Sequence, residues 1–456
     1  MKYSRMGRFG RIACLAAWAG CATVAVPEPA GEHVVLPALG AEPSLQDYLK
    51  YAELNNAGLK AAFHRWQAAL ERVVHARSLP DPRFTYAHFI EQVETRVGPQ
   101  RQKLALTQGF PWFGTLKLRG DAASAAAAAA RQDYEKAKRV LFYRVKDAYY
   151  AYAYLAQQLE VTRRHMQLVT NLEGVARIRF KAGSAPHSAV IQAQLELAKL
   201  DDRLRALESM REPVAARLKA ALNLAADRML PWPRALPERA EPFTDVQARR
   251  WLAEGNPELA RLAHLATKAG AAIKLAGKKS YPDIMLGVEY IDTGDALNPA
   301  MKDSGKDPVV AMVSINVPIW LGKYRAAQRE AGLRKAAVEQ DRKETAERLE
   351  ADLALALYRF RDAERKIDLY RNMLLPKAEQ SLGVARQEFE AGKTSFIALV
   401  DAQRLLLDFQ LAEKRARADR GQRLAEIEML VGKDLRSAAV KPTPSTTSIS
   451  PDTAGQ

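Results

Sequence analysis

The chain has 456 residues, of which 48% are hydrophobic and 27% are charged, a composition typical of folded proteins rather than disordered ones. Its formal net charge is +16, but the basic residues are interspersed with acidic ones and accompany no nucleic-acid-binding motif. We therefore expect a solvated helical surface and no nucleic-acid partner. No apolar stretch reaches about 18 residues, so no membrane-spanning helix is expected, and crossing a membrane would require a closed β-barrel.

The first residues have the features of a bacterial secretion signal, which we predict for residues 1–20. An uncharged run, Ile12 to Val26, follows four basic residues: Lys2, Arg5, Arg8 and Arg11. The run contains an Ala-Gly-Cys sequence like the end of a lipobox, in which Cys21 would be lipidated, although Trp18 replaces the usual Leu-like residue. An ordinary signal cleaved nearby is the alternative. Because Cys14 and Cys21 are the only cysteines, no disulfide framework or thiol metal site is expected in the mature fold.

The chain repeats itself with an offset of 209 residues. Pairs at this offset include Gly174–Arg177 and Gly383–Arg386, Phe180 and Phe389, and Gly183 and Gly392. Nearer the N-terminus the offset is slightly shorter, and Asn56 pairs with Asn256 and Pro111 with Pro318. Because the pairs follow in the same order in both halves, the sequence predicts two copies of one structural unit.

These repeats predict the division of the chain. The first repeat would span residues 45–230 and the second 243–432, separated by a proline-rich linker at 231–242. Residues 21–44 would form an N-terminal extension. Residues 433–456 are rich in Ser, Thr and Pro and are predicted to be a disordered tail.

Each repeat is predicted to begin with a helix, about Leu45–Arg77 and Asp245–Lys279, with a break near Asn56 and Asn256. Two strands, a very long helix, a glycine turn and a second long helix follow. A heptad seam marks the first long helix, at Leu141, Val145, Ala148, Tyr152, Leu155, Leu159, Thr162 and Met166. The returning helix continues the pattern at Leu197, Leu200, Leu204, Leu207, Val214 and Leu218, with Arg211 as the interruption. As one helix, Leu116–Phe180 would be about 100 Å long.

The predicted strands alternate apolar and polar faces. Ile284–Tyr290 and Val309–Val317 show this alternation, and polar hairpin loops are predicted at Glu91–Arg101 and Asp292–Asp307. A transmembrane barrel strand and a half-buried strand of a soluble sheet fit the pattern equally. The predicted fold is therefore mainly α with a small β part. Four strands cannot close a barrel alone, whereas about 12 strands from three chains could.

Duplicated motifs follow the strands and mark the turns. Pro111-Trp112-Phe113-Gly114 corresponds to Pro318-Ile319-Trp320-Leu321-Gly322, and the turn Phe180–Ser184 corresponds to Phe389–Thr394. With these motifs in tandem, the chain from about Pro43 to Gly432 resembles the TolC-type outer-membrane efflux family. Leu79–Pro82 and Phe110–Gly114 look most similar to members placed with heavy-metal efflux systems of the RND type.

The resemblance implies a homotrimer with a 12-stranded barrel in the lipid of the outer membrane and a helical periplasmic tunnel. A periplasmic adaptor and an inner-membrane transporter would complete the export path. The channel itself would catalyse nothing and would need no cofactor. The alternatives are a periplasmic coiled-coil scaffold without a pore and an adaptor, although adaptors carry one helical hairpin where this chain has two.

The resemblance also supplies candidate sites. The periplasmic tip would dock the adaptor through Gly183, Ser184, Gly392, Lys393 and Thr394, or these residues would only form turns that need a positive φ. Asp401 matches a family position where acidic side chains ring the constriction, while the second such position is Ala398. A solvated aspartate is the alternative. Glu289 and Asn316 would line the lumen, or be ordinary polar residues.

Enzymatic functions find little support. Gly392-Lys393-Thr394 imitates the end of a phosphate-binding loop, but Gln387 stands where that loop requires glycine. The seven histidines show no metal-ligand spacing, so no metal site is predicted. No arrangement typical of a nucleophilic catalyst is visible.

Overall fold

A computed structural model describes residues 39–40, 43–233, 242–298 and 300–435. The predicted signal, Cys21 and the tail after Leu435 lie outside this part of the chain, as does most of the predicted linker. The described residues form mainly helices with one four-stranded sheet, which confirms the predicted fold class. None of the described helices is both long enough and apolar enough to cross a membrane.

The two repeats follow the same order of elements. The first contains α1 (Leu45–Asn55), α2 (Ala57–Arg77), β1 (Arg83–Thr95), β2 (Gly98–Phe110), α3 (Thr115–Lys181), α4 (His187–Ser209) and α5 (Arg211–Leu222). The second contains α6 (Asp245–Gly255), α7 (Pro257–Lys278), β3 (Ile284–Thr293), β4 (Val309–Ile315), α8 (Leu321–Leu369), a π-helical turn (Tyr370–Leu374), α9 (Leu375–Glu390) and α10 (Phe396–Val431).

The first helix of each repeat breaks at an asparagine, as predicted. Asn56 and Asn256 both adopt an extended backbone, and their side chains accept hydrogen bonds from the amides that open α2 and α7. The same side chains donate to carbonyls at the end of the second hairpin helix, Asn56 to Ala221 (3.0 Å) and Asn256 to Leu430 (2.8 Å). Each asparagine therefore caps one helix and holds another.

The long helix of the first repeat is continuous, as predicted. At 67 residues, α3 is about 100 Å long. Seven of the eight predicted seam residues are buried and Met166 is half-buried. The seam faces α4 and α5 of its own repeat and α10 of the other. Helix α3 therefore packs against helices of both repeats.

Two interruptions were not predicted, and each lies next to a proline. The helix after the first tip ends at Ser209 and restarts at Arg211, shortly before Pro213. In the second repeat, the π-helical turn Tyr370–Leu374 immediately precedes α9, which has Pro376 in its first turn. Proline lacks the amide that an α-helix needs and its ring crowds the preceding turn, so the hydrogen-bond ladder shifts at both places.

The four strands form one antiparallel sheet in the order β1-β2-β3-β4. The predicted loop Glu91–Arg101 was wrong, because β1 and β2 pair as far as Thr95 and Gly98 and leave a turn of only Arg96 and Val97. Gly98 has a φ of +132°, and a Cβ there would collide with the carbonyl of Gly294. Gly294 and Gly305 of the second loop therefore pack directly on the first turn.

One face of the sheet is apolar across all four strands and exposed. The register places Leu106 opposite Phe84 and Val288, and Val288 opposite Ala311. Leu106, Phe84 and Val288 are all more than half exposed. A continuous exposed apolar surface of this kind marks a place where other molecules cover the protein.

The cores of the two repeats are separate where the hairpins begin and merge towards the tips. One cluster packs α1 on α3 and α5, and a second packs α6 on α8 and α10. A third joins both repeats, through residues such as Leu172, Val190 and Leu399. A buried ion pair, Lys146 with Glu428, links α3 to α10, and Glu428 also accepts from the amide of Leu435 (2.9 Å).

Candidate functional site

The two hairpin tips are built alike. Gly183 and Gly392 adopt left-handed φ values of +68° and +76°, and each follows the end of a long helix. The amide after each glycine bonds back five residues, Ser184 to Arg179 (2.9 Å) and Lys393 to Glu388 (2.8 Å). This is a Schellman motif, which ends a helix and requires the positive φ that glycine adopts at low cost. The duplicated turns predicted from the sequence are therefore real turns.

The predicted docking residues lie at these two tips. Gly183, Ser184, Gly392 and Lys393 are exposed and Thr394 is half-buried. Beneath them, Phe389 packs edge-on against Phe396 (5.3 Å between ring centroids), and Phe180 stacks on His187 (4.7 Å). In each hairpin, one aromatic pair thus packs the helix before the turn against the helix after it.

Arg179 joins one tip to the other. Its Nη1 donates to the backbone carbonyl of Phe389, its Nη2 donates to the carbonyl of Ser184 (3.1 Å), and its guanidinium lies 5.1 Å from the centre of the Phe389 ring. A Cβ on Gly392 would lie 3.1 Å from Nη2. The guanidinium thus occupies the space between the two turns, where its planar set of donors suits two carbonyls and a ring face.

The predicted gate residue, Asp401, lies on α10 with 63% of its side chain exposed. Arg404, one turn along, is 3.6 Å from it. The same arginine donates through Nε (3.0 Å) and Nη2 to Glu196 on α4, whose side chain is only 6% exposed. The hydrogen bond that Arg404 donates to Glu196 is the main cause that raises the pKa of Arg404. Arg404 therefore forms hydrogen bonds with the buried carboxylate of Glu196 and also lies close to Asp401.

A buried histidine lies between α3 and α10. His165 of α3 contacts two side chains of α10, Gln403 at Nδ1 (2.8 Å) and Gln410 at Nε2 (2.9 Å). Since the Gln403 amide nitrogen can only donate, Nδ1 accepts and Nε2 carries the proton. Burial lowers the pKa of His165, although the hydrogen bond to Gln410 opposes this shift. The imidazole is therefore neutral and helps to hold α3 against α10.

The two predicted lumen residues have different surroundings. Glu289 lies on the face of the sheet opposite the apolar one and forms an ion pair with Lys103 (2.6 Å). Asn316 follows β4, where its amide and side chain bond the backbone of Asp283 at the base of the sheet. Asp283 in turn accepts from the amide of Trp112 (2.9 Å). The contacts of Asn316 thus help to close the sheet at its helical end.

Two further predicted features were a lipidated Cys21 and the absence of a metal site. Cys21 lies outside the described residues. Within the described ranges, no group of three or more His, Cys, Asp or Glu side chains is arranged to hold a metal ion.

Sequence reasoning missed the two arginines that connect the hairpins. At the offset of 209, Arg179 corresponds to Glu388 and Arg404 corresponds to Leu195. A change of charge between otherwise matching repeats was therefore the available signal. Such a change indicates a residue that contacts the other repeat, because a residue needed for the fold of each repeat is expected in both copies.

Comparison with known proteins identifies the family. The sequence profile of the outer membrane efflux protein family matches residues 49–224 and 250–433. The pyoverdine export outer membrane protein OpmQ of Pseudomonas putida is 24% identical over 424 residues, which cover 85% of each chain.

Solved structures show the same fold. The outer-membrane channel OprN superposes with a TM-score of 0.72 at 18% identity, over 86% of this chain and 90% of that one. CusC, in a study of its folding and transmembrane channel formation, superposes with a TM-score of 0.73 at 16% identity, over 87% and 93%. The chain therefore belongs to the outer membrane efflux protein family, a family of channels rather than enzymes, and resides in the outer membrane with its helical part in the periplasm.

Proposed function

We propose that this chain is one third of a trimeric channel, the exit duct of a tripartite efflux system. The observation that supports this proposal is the four-stranded sheet, in which β1 and β4 are the edge strands and one face is apolar and exposed. Edge strands present backbone groups that can pair with another chain. Twelve strands from three copies would satisfy these edges, cover the apolar face with lipid and enclose a lumen.

The helices would then continue the duct into the periplasm. The tips at Gly183 and Gly392 would dock a periplasmic adaptor, which in turn contacts an inner-membrane transporter. Three copies of Asp401 would ring the constriction and favour cations, as rings of carboxylates do in cation channels. Glu289 would face the lumen from the strands, and Asn316 would lie at the end of the lumen nearest the helices. Similarity to heavy-metal efflux members at Leu79–Pro82 stays a prediction.

The oligomer is tested by the mass of protein extracted with detergent from purified outer membranes, measured by light scattering with a detergent correction. We expect the mass of three chains. A monomer in the soluble periplasm would contradict the channel and favour the coiled-coil scaffold, which needs neither edge pairing nor an apolar outer face.

Edge pairing is tested by disulfide formation between chains. Thr85→Cys in β1 is combined in turn with Val310→Cys, Met312→Cys or Ser314→Cys in β4, all on the face opposite the apolar one. Within one chain β1 and β4 are separated by two strands, about 14 Å across the sheet, which is too far for a disulfide. We expect one combination to give covalent trimers, and each single cysteine to give none.

A further inference from the structure

A basic groove lies where the helices meet the sheet, away from the tips and from Asp401. It has a volume of about 540 Å³. Three helices contribute to it: α2 through Arg72 and His75, α3 through Arg119, and α7 through Lys268. Leu79 and Pro80, which precede β1, close the end nearest the sheet. Pro80 is held there by a hydrogen bond from Gln108 to its carbonyl (2.7 Å).

The floor of the groove is apolar. It is formed by the small and aliphatic side chains Ala76, Ala122, Ala123, Ala126 and Leu275. Ala122, Ala123 and Ala126 belong to the Ala-rich start of α3, and their small side chains leave the space above them open. The groove therefore combines a smooth hydrocarbon surface with a cationic rim, a pairing that suits an amphiphile with an anionic head.

Among the described residues, the cations of the rim have no carboxylate partners. No carboxylate of the described residues lies within 4.0 Å of Arg72, Arg119 or Lys268. Farther along α3 and α7, Lys136 is paired with Glu258 and Arg261 with Asp133. Unpaired guanidinium groups that converge on one groove are suited to bidentate binding of a phosphate.

The two arginines of the rim are specific to the first repeat. Ala272 follows Asn256 at the distance at which Arg72 follows Asn56, and Ala327 follows Gly322 as Arg119 follows Gly114. The second repeat has the same order of helices and strands with alanine at both positions. The order of elements therefore does not require the arginines, which leaves the binding of a ligand as a role for them.

We propose that this groove binds the phosphate group of an amphiphile, with Arg72 and Arg119 as the main contacts and Lys268 as a third. The groove adjoins the sheet that lies in the outer membrane, where phosphate groups of lipids are at hand and basic pockets bind them. A soluble phosphate compound is the other ligand that would supply a phosphate group to this groove. The position of the groove beside lipid rests on the proposed function, whereas phosphate binding itself is measured on the purified protein without adaptor or pump.

The test uses purified full-length protein in maltoside detergent and phosphate-free buffer. Native mass spectrometry counts bound phosphatidylglycerol, with dioleoylglycerol as the matched lipid that lacks phosphate, and calorimetry measures binding of pyrophosphate. The variant Arg72→Gln/Arg119→Gln is compared with Arg342→Gln/Lys343→Gln, which removes the same charge from an exposed part of α8. Lys268→Gln is a milder variant should the first one assemble poorly.

We expect phosphatidylglycerol, but not dioleoylglycerol, to bind the wild type and the α8 control. Its affinity should fall by about tenfold or more in Arg72→Gln/Arg119→Gln, since charge-assisted hydrogen bonds are lost. Pyrophosphate that binds and displaces the lipid would identify a soluble phosphate compound as the ligand, and pyrophosphate that does neither would identify a lipid. Equal binding of both probes to the wild type and to all groove variants would overturn the proposal.

Discussion

Arg179 donates a hydrogen bond to the backbone carbonyl of Phe389, a residue 210 positions away in the chain. The contact ties the tip of the first hairpin to the tip of the second. Because the Nη2 atom of the same guanidinium also bonds Ser184 in its own turn, one side chain sets the distance between the two predicted docking turns. An arginine with two carbonyl acceptors and an aromatic face is held more firmly than a lysine could be.

Replacing Arg179 should therefore loosen the tips. We expect Arg179→Ala to raise single-channel conductance in planar bilayers, because the two turns lose their shared donor. Hydrogen bonds from charged donors typically contribute about 1.5–3 kcal/mol, so the change should be visible without loss of assembly.

Arg177→Ala is the matched control for this measurement. Arg177 lies two residues earlier and pairs with Glu173 of its own helix, so it does not bridge the hairpins. Conductance of Arg179→Ala equal to that of wild type would show that the tips are held together by other contacts.

The two tip glycines should differ in their tolerance of substitution. Both have a positive φ, but a Cβ would meet nothing within 4 Å at Gly183, whereas at Gly392 it would lie 3.1 Å from Arg179. Both alanine variants carry the same kind of backbone strain, about 1–2 kcal/mol. We expect Gly392→Ala to lower efflux more than Gly183→Ala, and bulkier residues at Gly392 to abolish efflux while trimers still assemble.

Export in cells that carry the matching adaptor and pump measures the effect, and detergent-extracted mass measures assembly. Equal efflux from the two alanine variants would mean that Arg179 plays no part in the difference. Full efflux with a bulky residue at Gly392 would refute the docking role of that tip.

Asp401→Asn should reduce the cation preference of the channel. The residue is largely exposed, and Arg404 lies 3.6 Å away, so part of its charge is already offset. We therefore expect a partial loss of cation selectivity in bilayer recordings, together with weaker block by trivalent cations. Asp202→Asn, an exposed aspartate of α4, is the control. An unchanged reversal potential in Asp401→Asn would remove this residue from the gate.

The packing of α3 on α10 should weaken in mild acid because of His165. Burial lowers its pKa in the folded state below the ordinary 6.5, so the unfolded chain binds the proton more readily. Stability from the neutral imidazole is complete above about pH 6.5 and is lost as the pH falls from there towards the folded pKa. We expect the denaturation midpoint of the wild type to drop between pH 7.5 and 5.5 more than that of His165→Gln.

Circular dichroism during denaturation in detergent gives both midpoints. The control is His264→Gln, since His264 lies on α7, away from the seam between α3 and α10. If His165→Gln and wild type show the same pH dependence, other groups govern the acid response.

The sequence was sufficient to predict features that depend on residues close together in the chain. The heptad seam, the helix breaks at Asn56 and Asn256 and the glycine turns were all predicted, because backbone hydrogen bonds and the burial of one helix face follow from residues a few positions apart. The same local reasoning failed at the first hairpin. Its polar strand ends look like loop residues, and only their pairing with a neighbouring strand satisfies the backbone there.

Tertiary structure decided everything that joins one repeat to the other. The sequence identifies Arg179, Arg404 and His165 as polar residues on long helices, but it does not say what they face. Their partners Phe389, Glu196 and Gln403 are more than 200 residues away in the chain. Which side chains meet depends on the longitudinal register of α3, α4 and α10, and packing of whole hairpins, rather than any local periodicity, sets that register.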